Sequence, residues 1–198
     1  MLNVAVLVSG GGTNLQAILD SEAKGGNPHG KVTLVISSKA GVYALERAKN
    51  AGVKSEVISR KAFANQQEFD EKLLNTLKDN KIDVVVLAGF LSILGESVIK
   101  AYPNRILNIH PSLIPSFCGA GYYGLKVHEA ALKKGVKVTG ATVHFVNEIC
   151  DGGAIIAQKA VEVLEGDTPE TLQKRVMEQA EWELLPAALA DICKQLDC

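Results

Sequence analysis

Apolar positions along this chain switch repeatedly between the period of a strand and the period of a helix. "NVAVLVS" is a short β-branched run, and after it "TNLQAILDSEA" sets Leu15, Ile18, Leu19 and Ala23 on one helical face. Gly25 and Gly26 predict the end of that helix. The alternation recurs as "KVTLVISS" before "VYALERAKNAG", then as "KSEVIS" before "QQEFDEKLLNTLKDN", whose apolar stripe is Phe69, Leu73 and Leu77. "DVVVLAGF" is apolar almost throughout, as expected of a strand covered on both faces of a parallel sheet. A short helix near "GESVIKAY" leads into "RILNIH". Together these segments predict an α/β fold: an open, doubly wound, mostly parallel sheet with right-handed crossovers and helices on both faces. "VKVTGATVHFV" and "GAIIAQKAVEV" follow one another directly and are expected to pair antiparallel or to edge the sheet. Thr168 with Pro169 opens a C-terminal helix carrying Leu172, Val176 and Leu184, and Pro186 is expected to kink or break it.

Composition narrows the class. The 198 residues suffice for one sizeable core, so one domain over 1–198 is expected, without repeat or linker. An apolar fraction of 47% with 22% charge is that of a soluble globular protein. A net charge of −1 gives no electrostatic case for a nucleic-acid or membrane partner. Cys118, Cys150, Cys193 and Cys198 form neither a Cys-x-x-Cys pair nor a metal-ligand spacing. Free thiols in a cytoplasmic protein without a metal fit them best. The N-terminus lacks a basic leader, and its apolar run is too short to span a bilayer, so it reads as the first strand.

In open α/β sheets ligands bind beyond the carboxyl ends of the strands, and three segments fall there. In "SGGGTN" a strand is followed by three glycines and a helix start, which suits an anion held by backbone N–H groups. With Leu15 at the last glycine position of a dinucleotide fingerprint, and no Walker lysine, one phosphate is the expected ligand. The plainer reading is a tight turn that binds nothing. In "NIHPSLIP", Asn108 and His110 stand two apart on a strand end and emerge on one face, with Pro111 and Pro115 restricting the loop behind them. An amide donor beside an imidazole can hold a developing oxyanion. In "NEICDGG", Asp151 reads either as a turn aspartate or as a carboxylate that stabilises a His110 imidazolium. Cys118 and Cys150 have no evident partner base and read as incidental thiols. His29 and His128 read as solvated or packing residues, while His144 shares a strand face with Thr142 and is a candidate to line the pocket.

These segments resemble the glycinamide ribonucleotide formyltransferases, a branch of the folate-dependent formyltransferase superfamily. The resemblance runs from "VLVSGGGTNLQAIL" through "VVVLAGF" and "LNIHPSLIP" to "GATVHFVNEICDGGAIIAQ". "NIHPSL" with a downstream "DGG" is shared by the wider superfamily, and "SGGGTNLQAI" is the more specific mark. The chain has room for neither the extra N-terminal domain of the deformylase branch nor the extra C-terminal domain of the methionyl-tRNA branch. The resemblance implies a Rossmann-like formyltransferase fold whose N-terminal part binds phosphate and whose C-terminal part binds folate. It implies Asn108, His110 and Asp151 as catalytic residues, and Gly12, Thr13 and Asn14 around the substrate phosphate. Glu181, matched after a one-residue adjustment, falls on the acid that binds the ribose hydroxyls. Leu91, Ser92, Ile93 and Leu94, with Asn147, Glu148, Ile149, Cys150 and Asp151, match the loops around the pterin; Asn108 borders the same pocket. Where some members carry arginines near the folate this chain has Gln66 and Ser92, so recognition of the glutamate tail does not carry over. The loop "SFCGAGYYGLKVHEA" is longer than the simplest family form. The implied reaction moves a formyl group from 10-formyltetrahydrofolate, as co-substrate, to the amine of glycinamide ribonucleotide in purine biosynthesis, by a monomer or homodimer. A hydrolase of the same superfamily would not need the phosphate loop, and a binding module would not need the trio.

Overall fold

Successive strand residues point to opposite faces of a sheet, and the apolar runs of this chain fill both. The computed structural model describes residues 1–197; Cys198, read above as a free thiol, lies outside the described residues. In chain order the elements are β1 (Leu2–Val8), α1 (Thr13–Ala23), β2 (Gly30–Ser37), α2 (Tyr43–Asn50), β3 (Lys54–Val57), α3 (Gln66–Asp79) and β4 (Val84–Leu87). They continue as α4 (Glu96–Ala101), β5 (Ile106–His110), α5 (Leu125–Lys134), β6 (Val138–Phe145), β7 (Ile155–Glu162), α6 (Pro169–Val176) and α7 (Trp182–Leu196). Along β1, Val4, Val6 and Val8 enter one hydrophobic layer with Leu15 and Ile18 of α1, Ala44 and Ala48 of α2 and the apolar face of α7. Ala5 and Leu7 enter the other layer, with Phe69, Leu73 and Leu77 of α3 and Val98 of α4. β4 divides in the same way, Val84 and Val86 against Val85 and Leu87. Burial on both faces is why these strands read as unbroken apolar runs.

The sheet has seven strands in the order β3-β2-β1-β4-β5-β6-β7. β1 to β5 pair in parallel. β6 is antiparallel to β5, and β7 is antiparallel to β6 at the edge, so both alternatives expected for the last two strands hold at once. Strand order reverses between β1 and β4, and the loops leaving their carboxyl ends part there to open a crevice. Ser9, at the end of β1, ties those loops together: its hydroxyl lies 2.6 Å from that of Ser38 and accepts the Leu91 N–H at 2.9 Å.

The C-terminal helices depart from expectation. Thr168 caps α6 in a reciprocal capping box with Thr171, and Pro169 takes the first turn, as predicted. Pro186 does not break its helix, because α7 runs through it. The irregularity lies one turn earlier, in a π-helical turn at Met177–Glu181. Trp182, which follows that turn, has ψ −13° rather than the usual helical value, and this swings its carbonyl away from the ring of Pro186 four residues on.

The antiparallel edge has one tight approach. A Cβ at Gly140 in β6 would meet the Lys159 carbonyl oxygen at 2.1 Å. Gly140→Ala is therefore expected to force β6 and β7 apart and cost about 2 kcal/mol or more. Urea unfolding checks this; an unchanged midpoint would show that the edge yields freely.

Candidate active site

Three loops meet beyond the strand ends around a cavity of about 640 Å³. Asn108, His110, His144 and Asp151 line its polar side, with Asn14 and Glu181 at one end. Leu91, Ser92, Ile93, Leu94, Asn147, Glu148, Ile149 and Cys150 line the rest, together with the Gly119–Gly124 loop. Ile93 is 82% exposed and Ile149 69%, an apolar rim that marks a ligand surface.

The register of β5 on β6 builds the polar side. Asn108 stands opposite His144, and His110 opposite Thr142. The Asn108 Nδ2 lies 3.0 Å from His144 Nε2, and His144 Nδ1 lies 2.8 Å from the Phe145 carbonyl. A carbonyl only accepts, so Nδ1 carries the proton, and the neutral ring takes a hydrogen bond from the Asn108 amide at Nε2. One N–H of Asn108 is thereby fixed, which aims the amide nitrogen and leaves its second N–H for the cavity. His110 is buried; its Nε2 donates to the Phe117 carbonyl at 2.9 Å, and its Nδ1 lies 3.5 Å from Asp151 Oδ2.

Asp151 reaches this cluster from a loop in which its own backbone is left-handed, φ 54°, a conformation aspartate tolerates better than most residues. Its carboxylate accepts the Gly119 N–H at 2.8 Å and lies 3.6 Å from His144 Nε2. Burial pushes the Asp151 carboxyl up, but its contacts with the His144 ring and the Gly119 N–H, with His110 nearby, outweigh it, and the carboxyl is held below its ordinary value. The structure thus brings together Asn108, His110 and Asp151, the three residues named by the resemblance, and His144 lines the pocket beside them. Cys118 and Cys150 flank the cluster; burial and the Asp151 charge push both thiols up, in keeping with incidental roles.

At the other end Asn14 Nδ2 donates to Glu181 Oε2 at 2.7 Å. Burial raises the Glu181 carboxyl against the opposing effect of that bond. The Oδ1 of Asn14 is buried without a hydrogen-bond partner. Gly12 and Thr13 do not line this cavity; Thr13 faces a neighbouring cleft, and Gly12 forms the turn itself. Gln66 also stands back from it, bonding Arg60, Asp70 and the Ile93 carbonyl, and so supports the rim from behind. His29 pairs with Asp197, whereas His128 is not solvated but fully buried behind the site. The sequence reading missed the Phe117 carbonyl, the Gly119 N–H and the tyrosines Tyr122 and Tyr123 that line the cavity. Backbone partners carry no residue-type signal, but the extra length of the "GAGYYG" loop was a visible one. Among the described residues no cluster of three or more His, Cys, Asp or Glu is placed to hold a metal ion, and no helix is long and apolar enough to cross a membrane.

A doubly wound sheet with an Asn–His–Asp cluster beyond its strand ends defines a class. The formyl transferase family model matches residues 2–189, and the chain belongs to that family. It is 41% identical over 189 residues to phosphoribosylglycinamide formyltransferase of Haemophilus influenzae, covering 96% of this chain and 86% of that protein. The trifunctional purine biosynthetic protein adenosine-3 of Gallus gallus is 47% identical over 188 residues, covering 95% of this chain, which spans only 18% of that protein. Among solved structures, glycinamide ribonucleotide transformylase 1 from Symbiobacterium toebii superposes with a TM-score of 0.92 at 45% identity, covering 98% of this chain and 89% of that one.

The glycines of the first loop separate binding from folding. A Cβ at Gly11 would meet nothing within 4 Å, whereas one at Gly12 (φ 70°) would meet Ala44 Cβ at 2.7 Å and Ala44 Cα at 2.9 Å. Gly12→Val should therefore destabilise the turn itself, while Gly11→Ala should fold normally and weaken the binding of a ligand seated there. Thermal melts beside ligand titration decide the matter; equal losses of stability in both variants would contradict the geometry.

His128 supplies a pH dependence. Burial, aided by the charge of His110, pushes its imidazole down to about 4, and neither ring nitrogen has a partner. A depressed folded value means that the stability tied to neutral His128 is complete above its unfolded value near 6.5. It is lost as pH falls through about 4. His128→Leu should flatten the stability profile between those limits in urea titrations, and an unchanged slope would exclude His128 as its source.

Proposed function

We propose that the protein transfers a formyl group from 10-formyltetrahydrofolate to the primary amine of glycinamide ribonucleotide, as a single domain over 1–198. The observation that carries this reading is one cavity with two chemically distinct ends. The Asn14–Glu181 pair, just past the glycine loop in sequence, lies at one end and an apolar rim at the other, with Asn108, His110 and Asp151 between them. Sugar hydroxyls would donate to Glu181, and the phosphate would meet the N–H groups around Gly12 and Thr13. A flat heteroaromatic donor suits the rim of Leu91, Ile93 and Ile149.

The acceptor amine attacks the formyl carbon, forming a carbon–nitrogen bond while the carbonyl electron pair moves onto oxygen. The free N–H of Asn108 and the proton of His110 stabilise that oxyanion. The Nε2–H of His110 is engaged by Phe117 in this structure, so donation to substrate replaces that bond. Asp151 faces the His110 ring and accepts the amine proton, directly or through water. Collapse of the intermediate breaks the bond to the folate nitrogen, which leaves with the proton that Asp151 took from the amine, returned directly or through water.

Incubation with 10-formyltetrahydrofolate, with and without glycinamide ribonucleotide, tests the reading. Tetrahydrofolate should appear only when the acceptor is present; release without it would assign a hydrolase instead. His110→Ala should lower kcat roughly 100-fold or more, with a much smaller change in either KM. Near-normal turnover in that variant would remove His110 from the mechanism.

A further inference from the structure

The first loop carries no basic side chain of its own, yet a guanidinium is clamped against it from a distant part of the sequence. Arg47, on α2, donates from Nε to the Gly11 carbonyl at 2.8 Å and from Nη1 to Gln16 Oε1 at 2.9 Å. Its charged carbon sits 4.8 Å from the centroid of the Tyr43 ring, which fixes the plane of the group. The start of the same helix takes the neighbouring carbonyl, because the Ala44 N–H donates to Gly10 O at 3.2 Å.

In a planar trans peptide the carbonyl and the following N–H point in opposite directions. Turning the carbonyls of Gly10 and Gly11 toward α2 therefore turns the N–H groups of Gly11 and Gly12 away from it. The Gly12 carbonyl is already committed to the first helical bond of α1, from Gln16, which directs the Thr13 N–H out of the helix end. Three consecutive donors are thus aimed by contacts on the opposite side of the loop. A Cβ at Gly10 or Gly11 would meet nothing within 4 Å, and both glycines are exposed, so this side of the loop is accessible.

We infer that Arg47 is a positioning residue for the acceptor's phosphate: it holds the loop carbonyls back, so that the N–H cradle is set before the ligand arrives, and it brings positive charge beside the loop. This rests on the phosphate-cradle reading above. Two hydrogen bonds in different directions need the fork of an arginine, and a lysine offers only a point charge.

The experiment is steady-state kinetics of Arg47→Met and Arg47→Lys, with inorganic phosphate as a competing inhibitor. Arg47→Met should raise the acceptor KM roughly tenfold and weaken phosphate inhibition by a similar factor. The kcat at saturating acceptor and the KM for the folate donor should stay within about twofold. Arg47→Lys should recover only part of the loss. An unchanged acceptor KM and unchanged phosphate inhibition in a folded Arg47→Met would overturn the inference, as would a joint fall of kcat and both affinities. Should Arg47→Met fail to fold, wild-type kinetics in Arg47→Lys would overturn it too. A wild-type enzyme that binds phosphorylated and dephosphorylated acceptor equally well would instead sink the cradle reading itself.

Discussion

One largely buried carboxylate organises the reactive end of this molecule. Asp151 accepts a backbone N–H from Gly119 and faces the imidazoles of His110 and His144, so a single charge joins the loop after β5, the end of β6 and the loop that follows. A buried carboxylate is costly unless hydrogen-bonded and paired. The contacts that satisfy it therefore also fix where the two rings stand. Asn108 inherits its orientation from the same arrangement, because its amide is held by His144. The cavity wall is thus one connected hydrogen-bond network rather than three independent side chains.

The acceptor end follows a different logic, in which backbone replaces side chain. The donors around Gly11 and Gly12 are aimed from behind by α2, and Glu181 is aimed by the helix that carries it. Ser9 couples this end to the apolar rim through the Leu91 N–H. Placement at the strand-order reversal makes such coupling short, since β1 and β4 are neighbours whose loops leave in opposite directions.

Much of the sheet was legible because strands buried on both faces leave runs such as "DVVVLAGF" that few other structures explain. Asn108 and His110 were legible for a related reason, the two-residue period of a strand end. The meeting of Asp151 with His110 was not, since it depends on the β5–β6 register and on a left-handed backbone at Asp151. Arg47 left no signal at all: it reads as an ordinary polar residue on a surface helix until α2 is packed beside β1. Pro186 misled because its effect on a helix depends on the carbonyl four residues earlier, which the π-helical turn has already moved aside. For His128 the sequence left solvated and packing roles open, because a histidine on an amphipathic helix gives no hint of which face it takes, and the packing role holds.

That wide turn at Met177–Glu181 has a further meaning. A π-helical turn holds about one residue more than the α-helical turn it replaces. In an unbroken α-helix an added residue would rotate everything beyond it by about 100°. Leu185, Leu189 and Ile192, all buried against the sheet, would swing toward solvent. With the surplus confined to one swollen turn, the phase of α7 is preserved while Glu181 still faces Asn14. An extra residue, ordinarily the privilege of loops, is here accommodated in the middle of a buried helix, in the very turn that carries Glu181 to one end of the cavity.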